Sequence, residues 1–282
     1  MNLLDNNLMQ VTRDGSNHVS KNYFNENYGY PGIPVVFSHA FQDMPVKSKW
    51  DLPYLIAAMP DPEQLEVLDG SNEKRMMTLA EYVEARDPSV YYKTLRHVKN
   101  ELAADFTPPS QFDCWYAGTT VGTPRNRLSW LYVGTKDTFS EVHRDIWWTS
   151  AWNYLIKGRK LWLIYPAAYT AGIEGNMDAY MVDGDPEHLL RGDHGIYKPL
   201  VCIQEEGELV FVPGNCYHSV INLEDTISLT ENFMNEINYD TVRMYFRKGT
   251  NTKNIRMIDE IIKEGFLSMK DNTNTIPYED KN

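Results

Sequence analysis

Apolar and polar positions alternate along Ile227-Ser228-Leu229-Thr230-Glu231-Asn232-Phe233, which predicts a strand with Ser228, Thr230 and Asn232 as a polar row on one face. Upstream, residues 1 to 24 are polar and Asn-rich and read as irregular chain wrapped over the surface. IPVVFSHA (33–40) reads as a buried strand, and a helix opens at Asp51 with Pro53 tolerated in its first turn. QLEVLD (64–69) is a short strand. Thr78-Leu79-Ala80-Glu81 is a capping box that opens a helix through Ala85. SVYYK follows as a strand carrying Tyr91, and residues 95 to 104 resemble a short helix ending before Pro108-Pro109. Strands resume near Leu128 with LSWLYVG and continue to Phe233. Two helices are predicted over 237–248 and 253–266, the second with an apolar stripe of Ile255, Ile258, Ile261, Ile262 and Phe266, and the last residues are expected to fray. The pattern predicts a mainly β fold with flanking helices.

At 282 residues, 42% of them hydrophobic, the chain has ample material for a core in one large domain or two. The formal charge of −12 argues against generic binding to nucleic acid or to an anionic membrane, both of which need basic surface. It suits a cationic substrate, although acidity also serves solubility alone. Cys114, Cys202 and Cys216 are odd in number and lack CxxC spacing, so neither a disulfide framework nor a structural zinc site is expected. The start has no basic region or apolar core of a secretory signal, and no stretch approaches the ~18 apolar residues of a membrane helix. The expected location is cytoplasmic.

The candidate chemistry opens the aromatic run 140–166. His143 and Asp145 lie two apart, and in an extended strand such residues share a face, so both can reach one ion. An imidazole with a carboxylate suits Fe(II), Mn(II) or Zn(II) better than Ca or Mg. His218 lies 75 positions after His143, beyond a Pro213-Gly214 turn, and completes the donor set of the facial triad of non-haem Fe(II) oxygenases. Such a match alone arises by chance. Polar residues in apolar surroundings strengthen it: Asn153 and Lys160 in the first segment, Thr230 in the second. Either of the first two, found alone, reads as a satisfied core amide or a solvated strand-end lysine. Lys157-Gly158-Arg159-Lys160 reads as a two-residue type II′ hairpin turn. In that register Asn153 faces Ile164, and Asn153 and Lys160 share a face roughly 13 Å apart. A lysine side chain plus a five-carbon dicarboxylate spans that gap. Arg144 alternates away from the ligands, and Trp147-Trp148 read as core packing or as pocket wall. His18, His39 and His97 have no partner at ligand spacing, and His188 and His194 read as solvated loop histidines.

On these residues the chain resembles the JmjC-domain oxygenases of the cupin fold, which use Fe(II), 2-oxoglutarate and O₂. It is most similar to the branch containing the lysyl hydroxylases once described as arginine demethylases. The resemblance rests on H-x-D at 143–145, TSAWN (149–153), G-x-K (158–160), FVPG (211–214), His218 and the ending from Asn222 to Phe233, with comparable stretches upstream at 33–41, 49–50 and 89–94. It implies a double-stranded β-helix (jelly roll) with His143, Asp145 and His218 on the iron. It further implies that Lys160 pairs with the distal carboxylate of 2-oxoglutarate, that Thr230 hydrogen-bonds to it and that Asn153 orients it. Tyr91 matches a tyrosine contacting the same molecule, although Tyr92 is adjacent and a one-residue slip swaps their faces. Asn232 matches an amide beside the iron site. No protein residue need act as nucleophile or base.

The implied organisation is an α/β lead-in over 1–110, a JmjC core over 111–235 interrupted by a loop-rich insertion at 167–199, and C-terminal helices and tail over 236–282. The insertion is a candidate substrate lid, and the C-terminal helices are a candidate homodimer surface. The implied reaction is hydroxylation of an amino-acid side chain in a protein, a peptide or a free amino acid, with succinate and CO₂ released. N-methyl lysine or arginine demethylation is the second reading, and a non-oxygenase cupin or scaffold the third.

Overall fold

The computed structural model describes residues 8–68, 73–95, 97, 101–118, 128–181, 186–192, 195–249 and 251–273. Its strands in chain order are β1 (Thr12–Asp14), β2 (Val35–Phe37), β3 (Glu63–Glu66), β4 (Lys74–Met77), β5 (Tyr92–Thr94) and β6 (Ser129–Gly134). There follow β7 (Phe139–His143), β8 (Ser150–Lys157), β9 (Lys160–Tyr165), β10 (Leu200–Gln204), β11 (Leu209–Val212), β12 (Tyr217–Asn222) and β13 (Thr226–Phe233).

Two sheets carry the site. The major sheet runs β1-β2-β11-β8-β13-β6-β5 and the minor sheet β10-β9-β12-β7, while β3 and β4 form a separate pair. From β6 to β13 the chain passes from one sheet to the other at every connection except β9 to β10. That winding is a double-stranded β-helix, and its two inner faces enclose the cavity described below.

Strict alternation along the strands sorts residues into layers. Trp152, Tyr154 and Ile156 of β8 point outward into an apolar core shared with Leu131, Leu229 and the lead-in residues Phe24, Trp50 and Tyr82. Between the sheets lie Trp162, Ile164, Val210, Val212 and Val220. On the far side of the minor sheet, Leu161, Leu163 and Tyr165 of β9 pack against Ile173, Tyr180 and Leu190. Lead-in residues also extend the major sheet itself: β2 pairs with β11, and β5 with β6.

Local signals in the lead-in translate directly. Asp51 caps the helix Leu52–Ala58, accepting from the Tyr54 amide at 2.9 Å. The capping box of Thr78 and Glu81 opens the helix Leu79–Ala85. Within the helix expected over 95–104, Glu101–Ala104 forms a 3-10 turn, and residues 96 and 98–100 lie outside the described residues.

The hairpin reading at 157–160 is corrected. The turn is tight and Gly158 has φ +85°, but β8 pairs with β11 and β13 whereas β9 pairs with β10 and β12. Residue Asn153 therefore lies opposite Val210 and Thr230, not Ile164. The physical reason is burial: every residue of β8 but Lys157 is buried, so both edges of the strand need partners. Those partners come from later in the chain, and the same turn becomes a corner between sheets. Glycine is required there, because a Cβ would stand 2.2 Å from the Asp225 carbonyl oxygen.

The insertion at 167–199 is more ordered than a loop. It contains the short helices Thr170–Glu174 and Pro186–Arg191 and two 3-10 turns, each too brief to show a 3.6-residue period. It packs on the outer face of the minor sheet. None of its described residues lines the cavity between the sheets, so the lid expectation finds no support in its placement. Beyond β13, the helices Tyr239–Lys248 and Thr252–Thr273 pack on each other, with Ile258 and Ile261 buried against Trp115, Val242 and Phe246. Among the described residues no helix is long and apolar enough to cross a membrane.

Candidate metal centre and its cavity

His143 ends β7 and His218 lies in β12, opposite it in the antiparallel register. Pairing brings residues 75 apart in sequence to ring centroids 4.4 Å apart. Asp145 follows two residues after His143, and donor atoms of all three lie within 4.8 Å of one another. His218 Nε2 and Asp145 Oδ1 are 4.0 Å apart. The tautomers follow from carbonyl partners, which only accept. His143 Nδ1 donates to Glu141 O at 2.7 Å and His218 Nδ1 to Cys216 O at 3.2 Å, leaving both Nε2 lone pairs for a metal. Burial first, and then the neighbouring His218, push the His143 imidazole down to about 4, with Asp145 acting the other way. The ring is therefore neutral at pH 7, the form that ligates.

The chain leaves the ligand motif through a strained loop. Trp147 and Trp148 both have positive φ, 55° and 57°, which is costly for bulky residues. Surrounding contacts hold them: Trp147 packs on Tyr116 and Phe246, and the Trp148 ring meets both the Arg144 guanidinium and the Lys248 ammonium. Arg144 points away from the cavity, donating to Asn215 Oδ1 and pairing with Glu174 of the insertion. Asn232 Nδ2 donates to Thr149 Oγ1 at 3.0 Å, which donates on to Ile146 O. Asn232 thus braces the loop that carries Asp145 and is not among the residues lining the cavity.

The cavity is lined by the triad together with Tyr91, Tyr132, Asn153, Lys160, Thr230 and their neighbours. Lys160 and Asn153 meet here from opposite sheets, rather than along one face of a hairpin. Lys160 is 2% exposed and donates to Ser228 Oγ at 2.7 Å and Tyr91 Oη at 2.9 Å. No carboxylate among the described residues pairs with it, and burial alone pushes the ammonium down to about 7. Asn153 Nδ2 donates to Thr230 Oγ1 at 2.7 Å, while its buried Oδ1 has no hydrogen-bond partner among the described residues. A buried cation without a counter-ion is costly, and a buried amide oxygen without a donor only less so. Both deficits lie in one cavity with the triad. Tyr92, the alternative to Tyr91, is in the outward core. Close approach at this end is tight, since a Cβ on Gly134 would stand 2.0 Å from Asn222 Nδ2 and 2.8 Å from the Tyr91 ring.

Comparison with known proteins bears on this arrangement directly. Residues 130–233 match the family model described as "JmjC domain, hydroxylase". The chain carries a JmjC domain. Over 243 residues it is 30% identical to the human 2-oxoglutarate and iron-dependent oxygenase JMJD4, covering 74% of this chain and 57% of that protein. Over 251 residues it is 28% identical to the arginine-specific demethylase JMJ22 of Arabidopsis thaliana, covering 82% and 47%. Over 246 residues it is 25% identical to the bifunctional arginine demethylase and lysyl-hydroxylase psr-1 of Caenorhabditis elegans, covering 79% and 61%. The chain spans about half the length of these relatives.

Several residues of the JmjC cavity were not singled out from sequence. Ser228 belongs to the polar row of β13, and its bond to Lys160 follows from the same alternation that places Thr230 inward. Tyr132 and Trp162 look like ordinary strand aromatics; only the period of two in β6 and β9 turns them toward the metal side. His188 contacts the Ala179 carbonyl at 3.3 Å, away from the triad, and His194 lies outside the described residues.

Proposed function

We propose that the JmjC domain is an Fe(II)- and 2-oxoglutarate-dependent oxygenase that hydroxylates a C–H bond of an amino-acid side chain in a protein, a peptide or a free amino acid. The observation that carries this reading is Lys160, a buried ammonium without an acidic partner among the described residues, in one cavity with a two-histidine, one-carboxylate donor set. His143, Asp145 and His218 would hold the iron, and that donor set suits it. Bound iron, with the keto acid and O₂, supplies oxygen insertion into a C–H bond, with succinate and CO₂ as the other products.

The chain's own residues bind, orient and exclude water. Lys160 supplies the cation for the distal carboxylate of 2-oxoglutarate. Tyr91 and Ser228 fix its ammonium, so little rotamer freedom remains to be lost on binding. On the opposite wall Thr230 Oγ1 accepts from Asn153 Nδ2, which leaves the Thr230 hydroxyl hydrogen to donate to the cosubstrate, with Asn153 beside it to orient it. The Nδ1 bonds of both histidines hold the ring tautomers that ligate. Asn232 acts on the iron site through the Asp145 loop. No side chain is needed as nucleophile or base.

A cationic substrate side chain fits the acidity of the chain and the printed names of relatives that act on arginine or lysine. The same names support N-methyl demethylation by this site as a second reading, in which a hydroxylated methyl group leaves as formaldehyde. Incubation with lysine- or arginine-containing peptides and their N-methylated forms, read by mass spectrometry, separates the two. Gain of one oxygen on the unmethylated peptide supports hydroxylation, loss of methyl with formaldehyde supports demethylation, and iron-dependent turnover of 2-oxoglutarate absent in both counts against the enzyme reading. A homodimer would use the side of the last helix that carries the exposed Leu267, and sedimentation of Leu267→Glu against the unaltered chain tests it.

A further inference from the structure

A cleft of about 630 Å³ opens beside the metal centre, between β5 and β6 at one end of the major sheet, the edge strand β7 of the minor sheet and the strand pair's β3. It shares His143, Tyr91 and Tyr132 with the inner cavity, so it leads to the triad. Its walls carry the carboxylates of Glu63, Glu66 and Glu141 and the rings of Trp130 and Tyr132. Acidic groups beside aromatic faces make a site for an organic cation, because the ring quadrupole and the carboxylates attract the same charge.

That position already holds a cation from the chain itself. Lys93 sits on β5, and its Nζ lies 5.5 Å from the Trp130 ring centroid and 5.6 Å from that of Tyr132. The side chain is exposed along the cleft and has no ion-pair partner among the described residues. Among the described residues it is held by the two rings and by the field of nearby carboxylates, Asp145 and Glu66, with no direct ion pair, so its exposed stem can swing out. Its place also follows from register: Lys93 pairs with Tyr132 across β5 and β6, which puts a flexible four-carbon stem beside the ring that both cavities share.

We propose that Lys93 is a resident cation in the substrate cleft, occupying over Trp130 and Tyr132 the place of a cationic substrate side chain, and that such a substrate enters by displacing it. The inference rests on the oxygenase reading of the adjoining triad and adds a specificity-determining residue to it. Lys93 sets a threshold that charged side chains overcome by taking over its ring contacts and its place in the field of the carboxylates, whereas uncharged ones cannot.

The test is an NMR titration of the full chain, following the Trp130 indole N–H (assigned with Trp130→Phe), with Nα-acetyl-lysine N-methylamide and its norleucine counterpart as probes. The proteins are the unaltered chain, Lys93→Met and Lys93→Arg. Removing the competing charge is expected to tighten the lysine probe by about fivefold in Lys93→Met, the scale of one exposed cation–π contact. The norleucine probe should not tighten, and Lys93→Arg should match the unaltered chain. Equal gains for both probes would make Lys93 a mere steric plug, and no gain, or weaker binding of the lysine probe, would mean that it helps to hold the ligand; either overturns the proposal. The anaerobic absorption of Fe(II) with 2-oxoglutarate, recorded on the same samples, keeps the two readings apart. Its presence with unchanged probe affinity defeats only the Lys93 inference, and its absence throughout defeats the oxygenase reading beneath it.

Discussion

At the scale of the residue, Lys160 concentrates the energetics of the site. An ammonium 2% exposed, paired among the described residues only with hydroxyls, costs the ligand-free protein stability and gains it back when an anion arrives. Lys160→Met should therefore leave the ligand-free protein as stable or more so in urea unfolding, while weakening 2-oxoglutarate by one to two orders of magnitude, the range of about 1.5–3 kcal/mol for a charge-assisted hydrogen bond. The pH dependence has a definite sign. With a folded pKa of about 7 against 10.5 for an ordinary lysine, the unfolded chain holds the extra proton between those values. Stability of the ligand-free protein should rise with pH across that window relative to Lys160→Met, because the unfolded state then binds more protons. Below pH 7 both states are charged and the full cost is present. Calorimetry near pH 8 in buffers of different ionisation enthalpy should show net proton uptake when 2-oxoglutarate binds. Lys160, Asn153 and Thr230 stood out in the sequence because polar residues inside apolar strands have no bland use in combination. Ser228 and Tyr132 did not, since serine and tyrosine are ordinary on a strand and only the fold shows what they face.

Elements teach a different lesson. Strand existence in the core was legible from alternation and turn residues, and the capping box at Thr78 from its spacing. Pairing was not. The turn at Gly158 has the chemistry of a hairpin, yet it joins two sheets, because a turn of this kind fixes the local backbone and leaves the strand partners to tertiary burial. Gly158→Ala should lose about 1–3 kcal/mol in urea unfolding, from a positive φ and from the Cβ placed against the Asp225 carbonyl. A neutral outcome would mean that the corner relaxes freely. The insertion illustrates the reverse limit: its helices are too short for periodicity to register, and their apolar residues made sense only once the outer face of the minor sheet was there to receive them.

Across the whole molecule, the lead-in and the C-terminal helices are joined to the JmjC core through side chains buried on its outside. Trp115, from the segment before β6, packs with Ile258 and Ile261 of the last helix, so the apolar stripe seen in the sequence is used within the chain. Ile261→Ala should cost about 2–5 kcal/mol of stability. Intact 2-oxoglutarate affinity in the surviving folded fraction would show that this packing supports the domain without shaping the site. The sequence indicated the β-helix because its motifs resemble a known family. The layering around that core depends on contacts between distant segments, such as Phe24 with Phe211, for which no local pattern exists.

The central claim is that one cavity holds iron through His143, Asp145 and His218 and a keto acid through Lys160. Anaerobic visible spectroscopy of the protein with Fe(II) and 2-oxoglutarate tests it without knowledge of the substrate. The expected result is the charge-transfer band of a chelated keto acid, lost in His218→Ala and in Lys160→Ala. Iron bound without a band would contradict the cosubstrate assignment, and no iron binding would contradict the account at its root.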